Sequence, residues 1–164
     1  CLVMSTNKQP LLFDLPQTDR NKLPYRNRDT FQLGDAGENL VMARLSCWGL
    51  HAVKSAPGSV YDIIVDDRST FITIQVKSTS QITPKMTFDF KRSSMRVGHR
   101  NFSYKDGDFD IAAIVSIPDQ RVLFYHGVHN RISCKREQFV RAENEFASWN
   151  SALEIFHSVE RRML

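Results

Sequence analysis

Between Phe71 and Thr79 the chain alternates, with Ile72, Ile74 and Val76 on one side and Phe71, Thr73, Gln75 and Lys77 on the other, which predicts a β-strand. Upstream, Leu40, Val41, Leu45 and Trp48 recur at helical spacing and predict a helix from Gly34, with Asp35 as N-cap and Gly49 as the stop. A short strand is expected at His51 to Ser55 and another at Val60 to Val65. The turn from Asp66 to Ser69 joins the second to the Phe71 strand as a hairpin. Two more apolar runs, Ile111 to Ile117 and Arg121 to Tyr125, flank the turn Pro118-Asp119-Gln120. Ser133 then introduces a long helical pattern in which Phe139, Ala142, Phe146, Trp149, Leu153 and Phe156 step by three and four residues. That stripe suits a helix lying on the sheet, and a dimer seam stays open beside it.

Composition changes this picture only in scale. A chain of 164 residues, 41% of them hydrophobic, supports one sizeable core, so residues 31–164 are read as one domain behind an arm at residues 1–30. The arm holds three prolines, no glycine and no sustained periodicity. No apolar run approaches a membrane span and CLVMSTNKQP lacks a secretory core, so a soluble cytoplasmic protein with no membrane partner is expected. The three cysteines, Cys1, Cys47 and Cys134, lie too far apart for a zinc motif, and Cys47 falls in the apolar helix as a core thiol.

Net charge is +4, which permits a polyanionic partner, and its placement is more telling. Between Gln81 and Gly107 there is no long apolar periodicity. Lys85, Lys91, Arg92, Arg96, Arg100 and Lys105 are instead interleaved with Phe88, Phe90, Phe102 and Tyr104. Read from composition alone, this is either a solvated basic stretch or a surface that touches nucleic-acid phosphates.

Glu38 shares a helical face with Val41 and Leu45, where an unpaired carboxylate is costly. Asp62 sits in a strand that the hairpin brings beside Gln75 and Lys77. Two carboxylates and an amide oxygen suit a hard cation such as Mg²⁺, and a neighbouring ammonium offsets charge on an attacking hydroxide or a pentavalent phosphate. Each residue taken singly also fits a plain role: a surface glutamate, a turn aspartate, a solvated strand face.

The order of a helix Glu, a strand Asp and a Gln-x-Lys on the next strand, in GDAGENLVMARLSCWGL, SAPGSVYDIIV and FITIQVKST, resembles the PD-(D/E)xK nuclease superfamily. With FDIAAIV the resemblance spans roughly Gly34 to Tyr125. It is closest to the Gln-x-Lys branch of group I intron homing endonucleases, and more distant from archaeal Holliday junction resolvases. Tyr61 stands where the superfamily name has proline, and Gln75 stands where it has an acid. The resemblance implies an α/β, restriction-endonuclease-like core with a central mixed β-sheet flanked by helices. It implies that Glu38 and Asp62 hold metal with Gln75 and the Val76 carbonyl, and that Lys77 positions the nucleophilic water. It further implies an endonuclease that hydrolyses phosphodiester bonds in double-stranded DNA with Mg²⁺, Mn²⁺ serving as a substitute; since one active site cuts one strand, a homodimer or a dimer of dimers is expected, with the arm before Thr30 and the stripe from Phe139 to Phe156 as its interfaces. A structure-selective junction resolvase and a non-catalytic DNA-binding module on the same core are the alternatives. The helix that such a core places after the Gln-x-Lys strand has no counterpart in the pattern between Thr79 and Asp108, where the basic stretch lies.

Overall fold

The computed structural model of the protein describes residues 30–94 and 100–163. The expected arm therefore lies outside the described residues, except for Thr30. Helix α1 (Thr30–Cys47) opens the domain. It starts four residues ahead of the expected Gly34, which leaves Asp35 inside the helix and not at its cap. It stops where expected, with Gly49 at φ 79°, a left-handed conformation that glycine adopts without steric cost.

Strands β1 (His51–Lys54), β2 (Ile63–Asp66) and β3 (Phe71–Thr79) form an antiparallel run, in which Ile74 faces Ile63 and Ile64 faces Val53. The second strand is shorter than the predicted Val60 to Val65, because Val60 to Asp62 bend into it from the preceding turn. Asp62 still belongs to the ladder: its N–H donates to Ile74 O and its C=O accepts from Ser55 N, both at 2.8 Å.

No element is predicted between Gln81 and Gly107, yet the chain forms three strands there, β4 (Lys85–Asp89), β5 (Lys91–Ser94) and β6 (Arg100–Ser103). Strands β7 (Ile111–Ser116) and β8 (Arg121–His126) lie close to the predicted runs. They complete a mixed sheet in the order β1-β2-β3-β7-β8, with β3 and β7 parallel. A crossover between parallel strands is usually a helix. Here that crossover holds strands and no helix among its described residues.

Ser133 does not start a helix. It lies in β9 (Arg131–Lys135), which pairs antiparallel with β4, and the helical segment that follows is split into α2 (Glu137–Val140) and α3 (Glu143–Met163). Residues 131–135 alternate exposed and buried just as β4 does, a period of two in which Ile132 and Cys134 face inward.

The sheet has an apolar layer on each face, which is why all six residues of β7 are buried. One layer joins Val41 and Leu45 of α1 and Trp149 and Phe156 of α3 to Ile72, Ile74 and Val76. The other joins Met86, Phe88, Phe90, Phe109, Cys134 and Phe139 to Ala112, Ile114 and Leu123. The predicted stripe from Phe139 to Phe156 is thus divided between two layers of the protein's own core. Phe146 alone of its large aromatics stays half exposed, edge-on to Trp48. Cys47, expected in the core, is exposed, because the inward stripe of α1 runs through Val41 and Leu45 and turns Cys47 outward.

β8 is the free edge of the sheet, and α3 closes it. The buried Glu145 accepts the Val122 N–H at 2.8 Å and pairs with Arg44 at 3.1 Å, and the Ser148 hydroxyl accepts the Phe124 N–H at 3.1 Å. An edge strand whose outward N–H groups are occupied in this way offers no template for another strand.

Candidate active site

The polar face of β3 runs toward the bend at Asp62. Gln75 is 4% exposed, and its amide Nε2 donates to the Asp62 Oδ2. The same carboxylate oxygen accepts the Val76 N–H at 2.8 Å. The Gln75 Nε2 also lies 3.4 Å from the Val76 carbonyl oxygen, so two oxygens converge on one amide. Lys77, two residues on and on the same face, holds its ammonium 5.9 Å from the centre of the Tyr104 ring. Tyr104 is buried and packs edge-on against Phe109.

Glu38 reaches this region from the opposite face of the sheet, because α1 lies unusually close to β3. A Cβ on Gly37 would fall 1.7 Å from the Ser78 Oγ and 3.0 Å from its Cβ, so any side chain there would have to displace Ser78. The Glu38 Oε2 is 3.0 Å from the ammonium of Lys54, which also bonds Asp35 at 3.2 Å. Asp35, Glu38, Lys54, Tyr61 and Asp62 line a cleft of about 280 Å³ beneath the turn from Ser55 to Ser59.

The electrostatics follow from burial and crowding. Burial pushes the Asp62 carboxyl up to about 6; the Val76 N–H pulls it down, Glu38 pushes it further up, and Lys77 and Lys54 pull it down. Burial lowers the Lys77 ammonium from its ordinary value, against the pull of Asp62 and Glu38. The Glu38 carboxylate, aided by Asp35, holds Lys54 above its ordinary value despite burial. Three carboxylates, Asp35, Glu38 and Asp62, thus share one cleft with a single lysine on its lining, Lys54, and leave the site short of positive charge.

Gathered in this region are the four residues singled out in the sequence, Glu38, Asp62, Gln75 and Lys77, and with them two that periodicity does not reveal, Lys54 and Asp35. Among the described residues no three His, Cys, Asp or Glu side chains come together as a metal-holding group. An all-oxygen donor set fits better: the carboxylates of Glu38 and Asp62, the Val76 carbonyl and the Gln75 amide. That amide presents its nitrogen to two oxygens here and its oxygen after a half-turn. Of the basic residues, Lys85, Lys91 and Lys105 are exposed. Arg92 and Arg100 belong to the paired strands β5 and β6, and Arg96 lies outside the described residues.

A family model for the PD-(D/E)XK endonucleases matches residues 28–153. The chain belongs to the PD-(D/E)XK endonuclease family. The solved structure of a bacterial homing endonuclease, I-Ssp6803I, has the same fold, with a TM-score of 0.61 at 18% identity over 84% of this chain and 99% of that one. No curated protein sequence matches. The expected α/β nuclease fold, with its mixed sheet between helices, is therefore the fold of this PD-(D/E)XK protein. No helix among its described residues is long and apolar enough to cross a membrane.

Proposed function

We propose that this PD-(D/E)XK protein is a Mg²⁺-dependent endonuclease that hydrolyses phosphodiester bonds in double-stranded DNA. The observation that carries the reading is the meeting of Asp62, Gln75 and the Val76 carbonyl at one point of β3, with Lys77 beside it and Glu38 facing the same cleft. Oxygen donors without thiolate or imidazole select a hard cation, with Mg²⁺ first and Mn²⁺ as substitute. When bound by Glu38, Asp62, Gln75 and Val76, the metal supplies positive charge to the phosphate during its displacement.

The chain's own groups do the rest. The Asp62 carboxylate is fixed by the Val76 N–H, so its free oxygen points with little freedom. The Lys77 ammonium, held against the Tyr104 ring, orients the attacking water and balances its developing charge. Lys85, Lys91, Arg92, Arg96, Arg100 and Lys105 supply sequence-independent phosphate contacts. One site cuts one strand, so a double-strand break calls for a homodimer or a dimer of dimers, which light scattering at micromolar concentration reads directly.

Plasmid nicking with and without Mg²⁺ tests the activity. Asp62→Ala should abolish it, and Lys77→Ala should cost at least about a hundredfold. A parent protein that binds duplex DNA and never nicks it, with either Mg²⁺ or Mn²⁺, overturns the enzyme and leaves the non-catalytic DNA-binding module. A strong preference for a four-way junction over a linear duplex makes it a junction resolvase.

A further inference from the structure

We propose that Lys54 is an intramolecular competitor for the metal site: its ammonium occupies Glu38 in the metal-free protein and passes to Asp35 when a divalent cation takes Glu38. This rests on the reading of Glu38 as a metal ligand. Lys54 closes β1 at the cleft, with Nζ 3.0 Å from Glu38 Oε2 and 3.2 Å from Asp35 Oδ1. The two carboxylates lie one turn apart on α1, near enough for one ammonium to hold both. They differ in exposure, which sets the direction of the exchange. The Glu38 side chain is 22% exposed and lines the same cleft as Asp62, whereas that of Asp35 is 68% exposed at the rim.

Without a metal, Glu38 and Asp62 would crowd negative charge into one cleft, and Lys54 relieves it. With a divalent ion present, an ammonium on Glu38 becomes a like charge beside the new cation and blocks one of its oxygens. Lys54 is already paired with Asp35 as well, so it can leave Glu38 and still keep one ion pair. Glu38 would then exchange its internal monovalent partner for a divalent one, while Lys54 remains in the cleft on Asp35.

The test is calorimetric titration of the metal-free protein with Mn²⁺ and with Mg²⁺, in the absence of DNA. Lys54→Met should tighten binding by roughly threefold to tenfold, the scale for removing one charge near a partly solvated divalent site. Asp35→Asn should weaken binding, because it leaves Lys54 with Glu38 as its remaining partner. On the Lys54→Met background the same Asp35→Asn change should weaken binding far less, a coupling that a double-mutant cycle reads. Circular dichroism should report the same fold for all variants, since both side chains are at the surface. If Lys54→Met leaves affinity unchanged or lowers it, the competition is overturned. If the two substitutions are additive, the transfer to Asp35 is overturned. A parent and variants that all fail to bind either ion overturn the metal site itself, and this inference with it.

Discussion

The Asp62 carboxylate and the Val76 amide are joined across the β2–β3 hairpin by a 2.8 Å hydrogen bond, and that bond fixes the register of the whole candidate site. Because Val76 lies between Gln75 and Lys77, Asp62 lies opposite the Gln-x-Lys segment and not beside some other part of the strand. The side chain of Val76 points into the α1–α3 layer of the core, so the backbone there is held from both sides. The aspartate is thus positioned by a main-chain donor that no substitution short of proline removes.

Gln75→Glu is expected to change metal preference more than fold. The amide now donates to Asp62 Oδ2, and a carboxylate in its place would repel Asp62 until a cation bridged them. The variant should therefore bind Mg²⁺ or Mn²⁺ more tightly than the parent in calorimetry, yet melt earlier when metal-free. Equal melting temperatures with and without metal would show that Gln75 does not face the metal.

Gly37→Ala should cut nicking by more than about tenfold, because the new methyl group would lie 1.7 Å from Ser78 Oγ and force α1 off β3, taking Glu38 with it. The Ser78 hydroxyl is buried without a hydrogen-bond partner among the described residues, so Ser78→Ala alone should be harmless. Combined with Gly37→Ala it should restore part of the activity. A fully active Gly37→Ala variant would mean that the approach of α1 to β3 does not position Glu38.

Acid should weaken the junction between the β2–β3 turn and α3. Burial raises the Asp67 carboxyl, but the Thr70 and Ser69 N–H groups and the Ser69 hydroxyl, with the His157 ring, outweigh it and hold Asp67 below its ordinary value. A depressed carboxyl stabilises the fold above its unfolded value, and that contribution disappears as pH falls through the folded one. Melting temperature should accordingly drop as pH falls below the ordinary carboxylate value of about 4. Asp67→Ala should melt lower than the parent at pH 7 and converge with it in strong acid. Parallel curves at every pH would exclude this pair as the cause.

The exposed lysines outside the cleft should act through counterion release. Replacing Lys85, Lys91 and Lys105 together with alanine should lower the slope of log affinity against log salt by roughly two to three units, about 0.9 for each phosphate that is no longer neutralised. Filter binding on a linear duplex at several salt concentrations measures it. An unchanged slope would make these residues an ordinary solvated surface.

What the sequence determined by itself was local. The period of two in FITIQVKST set which side chains share a face, and Gly49 marked the end of α1. The spacing of Glu38, Asp62, Gln75 and Lys77 pointed to the fold and singled out the four residues of the candidate site, because each signal lies within one element or one hairpin. The tertiary structure decided what depends on partners far along the chain. Residues 131–135 are a strand because β4 is there to pair with them. The aromatic positions from Phe139 to Phe156 serve two layers of core because α2 and α3 break between them. Glu145 can be buried because Arg44 and the Val122 N–H meet it, and Gly37 matters because Ser78 lies against it. The part that Lys54 and Asp35 take in the cleft was invisible for the same reason. A lysine at the end of a short strand and an acid in a helix carry no pattern of their own, and only the packing of α1 against β1 makes them neighbours.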